Sequence, residues 1–234
     1  MRRLLHVPIM HEEADMGSAA TALAQQSAAL SGERQWALHQ ETVREFWESI
    51  RAFLSSFDPA RLKLYQDGLP AGGETGQRIV HEAVRRGSKN YQLVAELLHG
   101  GAELRKTEDP LLLLSEHQHI HRAMQQESSG ERRRDAESDR LRWDRLMEEW
   151  DRFIGETITA TLEEGDLAVL FIGAGHSVTP FLATDISVET VKDPAKVTAY
   201  FHELFVTHDD KKLEELRHYL TSPVRTSCKH SSGS

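Results

Sequence analysis

Leu167-Ala-Val-Leu-Phe-Ile-Gly-Ala-Gly-His-Ser177 decides the fold: six largely β-prone apolar residues run into Gly173-x-Gly175-His176. A run this short, bounded by Gly165 on one side and glycines on the other, has the pattern of a strand buried on both faces, as in a parallel sheet covered by helices. His176 then stands at the strand's carboxyl end. Two other segments repeat the arrangement. Leu4-Leu-His-Val-Pro-Ile-Met-His11 is followed by Glu12, Glu13 and Asp15, and Leu62-Lys-Leu-Tyr-Gln-Asp67 ends at Gly68. Open α/β sheets bind ligands beyond the carboxyl ends of their strands, so the three termini are expected to converge on one crevice.

The segments between these strands carry helical periodicity. Ala19 to Leu30 is Ala-rich and reads as a helix. Trp36, His39, Val43, Phe46/Trp47, Ile50, Phe53/Leu54 and Phe57 recur at steps of three and four, which predicts an amphipathic helix of about six turns that Asp58-Pro59 stops. Gly76 to Arg86 and Asn90 to His99 read as helices closed by Gly87 and by Gly100-Gly101. Asp109-Pro110 has the pairing that opens another, reaching Met124.

From Glu131 to about Glu164 the pattern is one long helix, with Trp143, Leu146/Met147, Trp150, Phe153/Ile154, Ile158 and Leu162 as its apolar stripe. Its charged first turns face water or a second copy of the chain. Residues 181–191 carry no decisive pattern, and Val197 to Val206 and Lys211 to Leu220 read as short helices. This order predicts an α/β fold: a helix-rich single domain over residues 1–221 around a small, mostly parallel central sheet. A helical insertion is expected around 74–145, and a disordered tail over 222–234.

Composition narrows the partners. With a formal net charge of -9, and with Arg132 to Arg134 interleaved with acids, the chain offers no basic field for nucleic acid. Cys228 is the single cysteine, so no internal disulfide forms, which fits a reducing compartment. His6 and Pro8 interrupt the apolar run near the N-terminus, and no other stretch approaches the roughly 20 apolar residues of a membrane span. A cytoplasmic location without a membrane partner is the expectation.

His11-Glu12-Glu13-Ala14-Asp15 places an imidazole and three carboxylates directly after a strand. Carboxylates suit hard divalent cations, and a neutral imidazole suits zinc, manganese or iron. His11, Asp15, Asp67 and His176 are therefore the expected ligands of a divalent metal ion. Glu12 or Glu13 would accept a proton from the metal-bound water. The same acids also suit a structural role, with Asp15 capping a helix and Glu12 and Glu13 at its positive end.

Other chemistries fit less well. Gly173-Ala-Gly175-His176 lacks the spacing of the dinucleotide fingerprint, and Ser177 follows the histidine rather than sitting in a Gly-x-Ser-x-Gly elbow. His117 and His121 share a helical face, but Gln118 stands where a zinc-protease helix carries an acid, so His117, His119 and His121 read as a surface patch. Glu108-Asp109 reads as a helix cap and Asn90 as a helix start, with a place along the crevice as the alternative for each.

The helix Trp150-Asp-Arg-Phe-Ile-Gly-Glu-Thr-Ile-Thr-Ala-Thr-Leu162, followed by a strand and Gly173-Ala-Gly-His176, resembles part of the superfamily of Tiki proteases, TraB-like proteins, erythromycin esterases and ChaN-like haem-binding proteins. Members open such a helix with an arginine-aspartate pair and end the next strand in a glycine-and-histidine motif. Asp151 matches the aspartate, while Trp150 stands where the family has its arginine. The resemblance covers about 40 residues. It implies a metal-assisted hydrolase, or a non-catalytic relative that binds a ligand in the same crevice.

Taken with the residues themselves, this gives the expected function: a metal-dependent hydrolase of a small molecule or peptide. The alternative is a ligand-sensing or regulatory protein that uses the same crevice without turnover, and the long charged helix is the surface expected to join copies in a homo-oligomer.

Overall fold

A computed structural model describes residues 1–11, 33–109, 135–207 and 209–225. Five strands, β1 (Arg2–Ile9), β2 (Leu62–Gln66), β3 (Glu103–Arg105), β4 (Leu167–Gly173) and β5 (Ile186–Thr190), form one sheet in the order β3-β2-β4-β1-β5. Every pairing is parallel. The apolar runs of β1, β2 and β4 take the three central places, where both faces of a strand are covered.

Six helices of the described residues surround it: α1 (Glu33–Leu54), α2 (Gly73–Arg85), α3 (Lys89–His99), α4 (Asp135–Thr161), α5 (Pro194–His202) and α6 (Asp210–Thr221). On one face Leu5, Val7, Leu64, Val169 and Phe171 pack against α1, α2, α3, α5 and α6 through residues such as Trp47, Val80, Leu93, Tyr200 and Leu213. On the other, Leu4, Tyr65, Ala168, Leu170 and Ile172 meet Trp150, Ile154 and Ile158 of α4 and Leu162 directly after it. The four-residue recurrence on α4 is the amphipathic stripe that the sequence predicts, and here it buries itself against the chain's own sheet.

Right-handed crossovers explain the division. From β1 through β2 to β3 the chain steps toward one edge of the sheet, with α1, α2 and α3 on the first face. From β3 it returns by way of α4 to β4 and then β5, with α4 on the opposite face. β4, preceded by α4, therefore lies between β2 and β1, which are followed by helices packed on the other face, and this is the topological switch point where a crevice opens.

The carboxyl end of α4 is held by two cations. Arg2 donates to the Thr159 and Leu162 carbonyls at 2.6 and 3.0 Å while its fork grips Asp185. Lys63 donates to the Thr161 carbonyl at 3.0 Å and pairs with Asp166 at 2.5 Å. Unpaired carbonyls and the negative helix end both favour such partners. Tyr65 and Thr161 add a hydroxyl pair at 2.7 Å.

Two strands escape the sequence reading. β3 is only three residues long, and β5 falls in the stretch that carries no decisive pattern. The helix expected at Ala19 to Leu30, the one expected from Pro110 onward, and the histidine cluster lie outside the described residues. No helix among the described residues is long and apolar enough to cross a membrane.

Gly155 lets α4 approach the turn Thr179–Phe181 that follows β4. A Cβ there would lie 2.6 Å from Phe181 Cβ and 2.9 Å from the Phe181 carbonyl oxygen. Gly→Ala inside a helix ordinarily stabilises by about 1 kcal/mol. At Gly155→Ala the overlap reverses the sign, with an expected loss of about 1–2 kcal/mol in urea unfolding. A raised midpoint would contradict the close approach.

Candidate functional site

The three central strands deliver their ends to one cleft of about 540 Å³, lined by His11 after β1, Gln66, Asp67 and Gly68 at the end of β2, and Gly173 to His176 after β4. Asn90 and Tyr91 of α3 close it on one side, and Trp143, Met147 and Trp150 of α4 on the other. A larger groove, about 940 Å³, lies between the starts of α1 and α6, but none of the residues expected to carry chemistry lines it.

Local bonds fix each strand end. The Trp47 indole N–H donates to the Met10 carbonyl at 3.2 Å, which holds the chain where β1 gives way to His11. The Asp67 N–H donates to the Phe171 carbonyl at 2.9 Å, so Asp67 continues the β2–β4 ladder by one residue. Asp67 Oδ2 then accepts the Gly173 N–H at 2.9 Å. The turn after β4 closes with the His176 N–H on the Gly173 carbonyl at 3.1 Å.

His176 is the centre of the cluster. Its Nδ1 lies 2.6 Å from Asp151 Oδ1, and Asp151 Oδ2 accepts the Ser177 N–H at 2.8 Å. Asp151 is 5 % exposed, so both of its oxygens are committed in a nearly dry place. A carboxylate only accepts, so His176 Nδ1 donates to Asp151, and the ring's Nε2 faces Asp67 Oδ2, 3.7 Å away. Trp150 packs against the imidazole in a T-shaped contact, ring centroids 5.7 Å apart. His6 of β1 is held below the usual histidine range by burial first, and by the nearby His176 second.

Below Asp67 lies Glu108, fully buried. The loop that carries it is stitched to the end of β2: Thr107 Oγ1 donates to the Gln66 carbonyl, and the Thr107 and Glu108 N–H groups both donate to the Leu69 carbonyl. Glu108 Oε1 accepts the Gly68 N–H at 3.0 Å. Burial, with the Asp67 charge added, pushes the Glu108 carboxyl up to about 9, against the smaller opposing pull of the Gly68 N–H and the Trp150 indole. Glu108 is therefore a neutral acid at neutral pH, lying beside Asp67.

Of the residues that the sequence nominates, His11, Asp67 and His176 line the same cleft. Glu12, Glu13 and Asp15 lie outside the described residues. Asp151 enters the sequence reading only through the family resemblance, and Glu108 and Asn90 mainly as helix-boundary residues. The signal that would have found Asp151 is its place one residue beyond Trp150, at the shoulder of the α4 stripe, where a carboxylate is drawn into the interface with the sheet.

Fold and cleft together define a parallel-sheet α/β protein with a histidine–carboxylate cluster at its switch point. No protein-family model, no curated protein and no solved structure matches this chain.

Glu108 binds its proton more tightly in the folded chain, about 9 against 4.5, so its contribution to stability falls as pH rises through that window. Glu108→Gln does not titrate. Urea unfolding at a series of pH values is expected to show the variant gaining on the wild type above about pH 5, by up to about 1.4 kcal/mol per unit. A pH-independent difference would mean that Glu108 is ionised in the folded chain.

Proposed function

We propose that the chain is a hydrolase of a small molecule or peptide in which His176, oriented by Asp151, is the general base. The 2.6 Å contact between Asp151 and His176 Nδ1 carries this reading, because it orients the imidazole and turns Nε2 toward Asp67. Nε2 and Asp67 Oδ2, 3.7 Å apart, are spaced so that one water can donate a hydrogen to each. That water keeps a lone pair for attack on a carbonyl carbon; as the bond forms, the carbonyl π electrons move to its oxygen and the water's proton passes to Nε2. The resulting imidazolium is stabilised by the Asp151 carboxylate, the role such an acid plays in hydrolytic triads. Nε2 returns the proton to the departing alcohol or amine when the tetrahedral intermediate collapses and the ester or amide bond breaks.

A second reading keeps the divalent metal. A histidine whose other ring nitrogen rests on a carboxylate is the usual form of a metal ligand, and His176 Nε2 and Asp67 would supply two donors. Among the described residues no three histidine, cysteine, aspartate or glutamate side chains stand close enough to hold one ion. Under this reading His11 and Asp15 would complete the set expected from the sequence, with Glu12 or Glu13 as the proton acceptor.

Turnover of p-nitrophenyl esters and of a panel of neutral esters and amides tests the proposal. His176→Ala and Asp151→Asn are each expected to lower the rate by about 10²- to 10⁴-fold. His99→Ala, at the exposed carboxyl end of α3, leaves it unchanged. Full activity in His176→Ala, or binding without turnover in the wild type, rejects the catalytic reading. Stoichiometric zinc, manganese or iron that disappears in His176→Ala selects the metal form.

A further inference from the structure

The polar lining of the cleft is unbalanced. Gln66 and Asn90 are each 1 % exposed and both line it, yet Gln66 Oε1 and Asn90 Oδ1 have no hydrogen-bond partner. Trp150 Nε1, also in the lining, is an orphaned donor, so two orphaned acceptors stand against one donor. Buried acceptors are ordinarily satisfied, and the surplus points to a ligand that brings donors. The Gln66 amide is oriented by its own nitrogen, which donates to the Asp67 carbonyl at 3.3 Å and leaves the oxygen over.

Charge points the same way. Asp67 lines the cleft, with Asp151 behind His176, and among the described residues no lysine or arginine lines it. Tyr91, Trp143 and Trp150 supply aromatic walls, which favour cations over anions. The net charge of -9 draws cations toward the molecule. α3 begins here, and a helix N-terminus favours an anion. Ser88 Oγ, however, already accepts the Tyr91 N–H at 3.3 Å, and among the described residues no basic side chain in the lining joins that end.

We infer that the cleft takes an amine: a ligand whose ammonium group docks on Asp67 and whose remaining N–H or O–H donors meet Gln66 Oε1 and Asn90 Oδ1. This rests on the cleft being the substrate site, and it names the substrate class as esters or amides that carry an ammonium group, in place of phosphates or carboxylates. The amine is bound by the α3 side of the cleft and Asp67, while His176 acts on the bond to be broken.

Three probes with the same carbon skeleton separate the contributions: diaminobutane, butanediol and succinate, each titrated into the full chain by calorimetry. Diaminobutane is expected to bind at least about tenfold more tightly than butanediol, the factor of one charge-assisted hydrogen bond, with no saturation by succinate. Asp67→Asn abolishes the preference for the diamine. Asn90→Leu weakens diamine binding about tenfold with the circular dichroism spectrum unchanged. His99→Ala, at the exposed carboxyl end of α3, binds diaminobutane as the wild type does.

Succinate binding as well as the diamine, an undiminished preference in Asp67→Asn, or no diamine binding at all overturns the inference. Loss of turnover in His176→Ala would then still uphold the hydrolase. Conversely, diamine binding with full turnover in His176→Ala upholds the amine site and rejects the base.

Discussion

The negative end of α4 is met by Arg2 and Lys63, and the geometry of the cleft follows from that attachment. Both cations come from central strands, Arg2 at the start of β1 and Lys63 on β2, so the helix is held lengthwise against the sheet at a fixed height. Ten residues back along the helix, about 15 Å at the ordinary rise, Asp151 then stands level with the turn that follows β4. A buried carboxylate is tolerated there because the His176 ring and the Ser177 N–H take its two oxygens. Packing alone would leave the helix free to slide by a turn, whereas paired terminal carbonyls define one position.

Much of this was legible in the sequence because burial on both faces leaves a strong mark. The runs of β1, β2 and β4 are apolar, short and bounded by turn residues, so strand type and end both follow, and with them the places of His11, Asp67 and His176. β3 left no such mark: only Leu104 of its three residues is buried, and its pairing with β2 is decided by tertiary contact. β5 pairs on one side only, and its burial is mostly partial, which blurs any alternation in Ile-Ser-Val-Glu-Thr.

The cleft's second tier was harder to read for a different reason. Asp151 lies among Glu148, Glu149 and Arg152 in a charged helix, and composition cannot tell one buried carboxylate from its solvated neighbours. Glu108 precedes Asp109-Pro110, whose capping chemistry accounts for both acids without any burial. Its environment depends on Thr107 bonding back to the end of β2, a contact across 41 residues of chain. Periodicity places elements, but it carries no information about such long-range polar stitching.

Among the described residues the two faces of the sheet are dressed unequally, with five helices against one and a single helix with a short turn against the other. The cleft straddles that divide. Its Asn90 side belongs to the larger described core, whereas Asp151 and Trp150 ride on α4, whose separation from the sheet would leave that core in place. Cooperative units of unequal strength then share one cavity. Amide exchange along α4 should be faster than along α1, and such a partial opening would uncouple the histidine from its aspartate before the molecule as a whole unfolds.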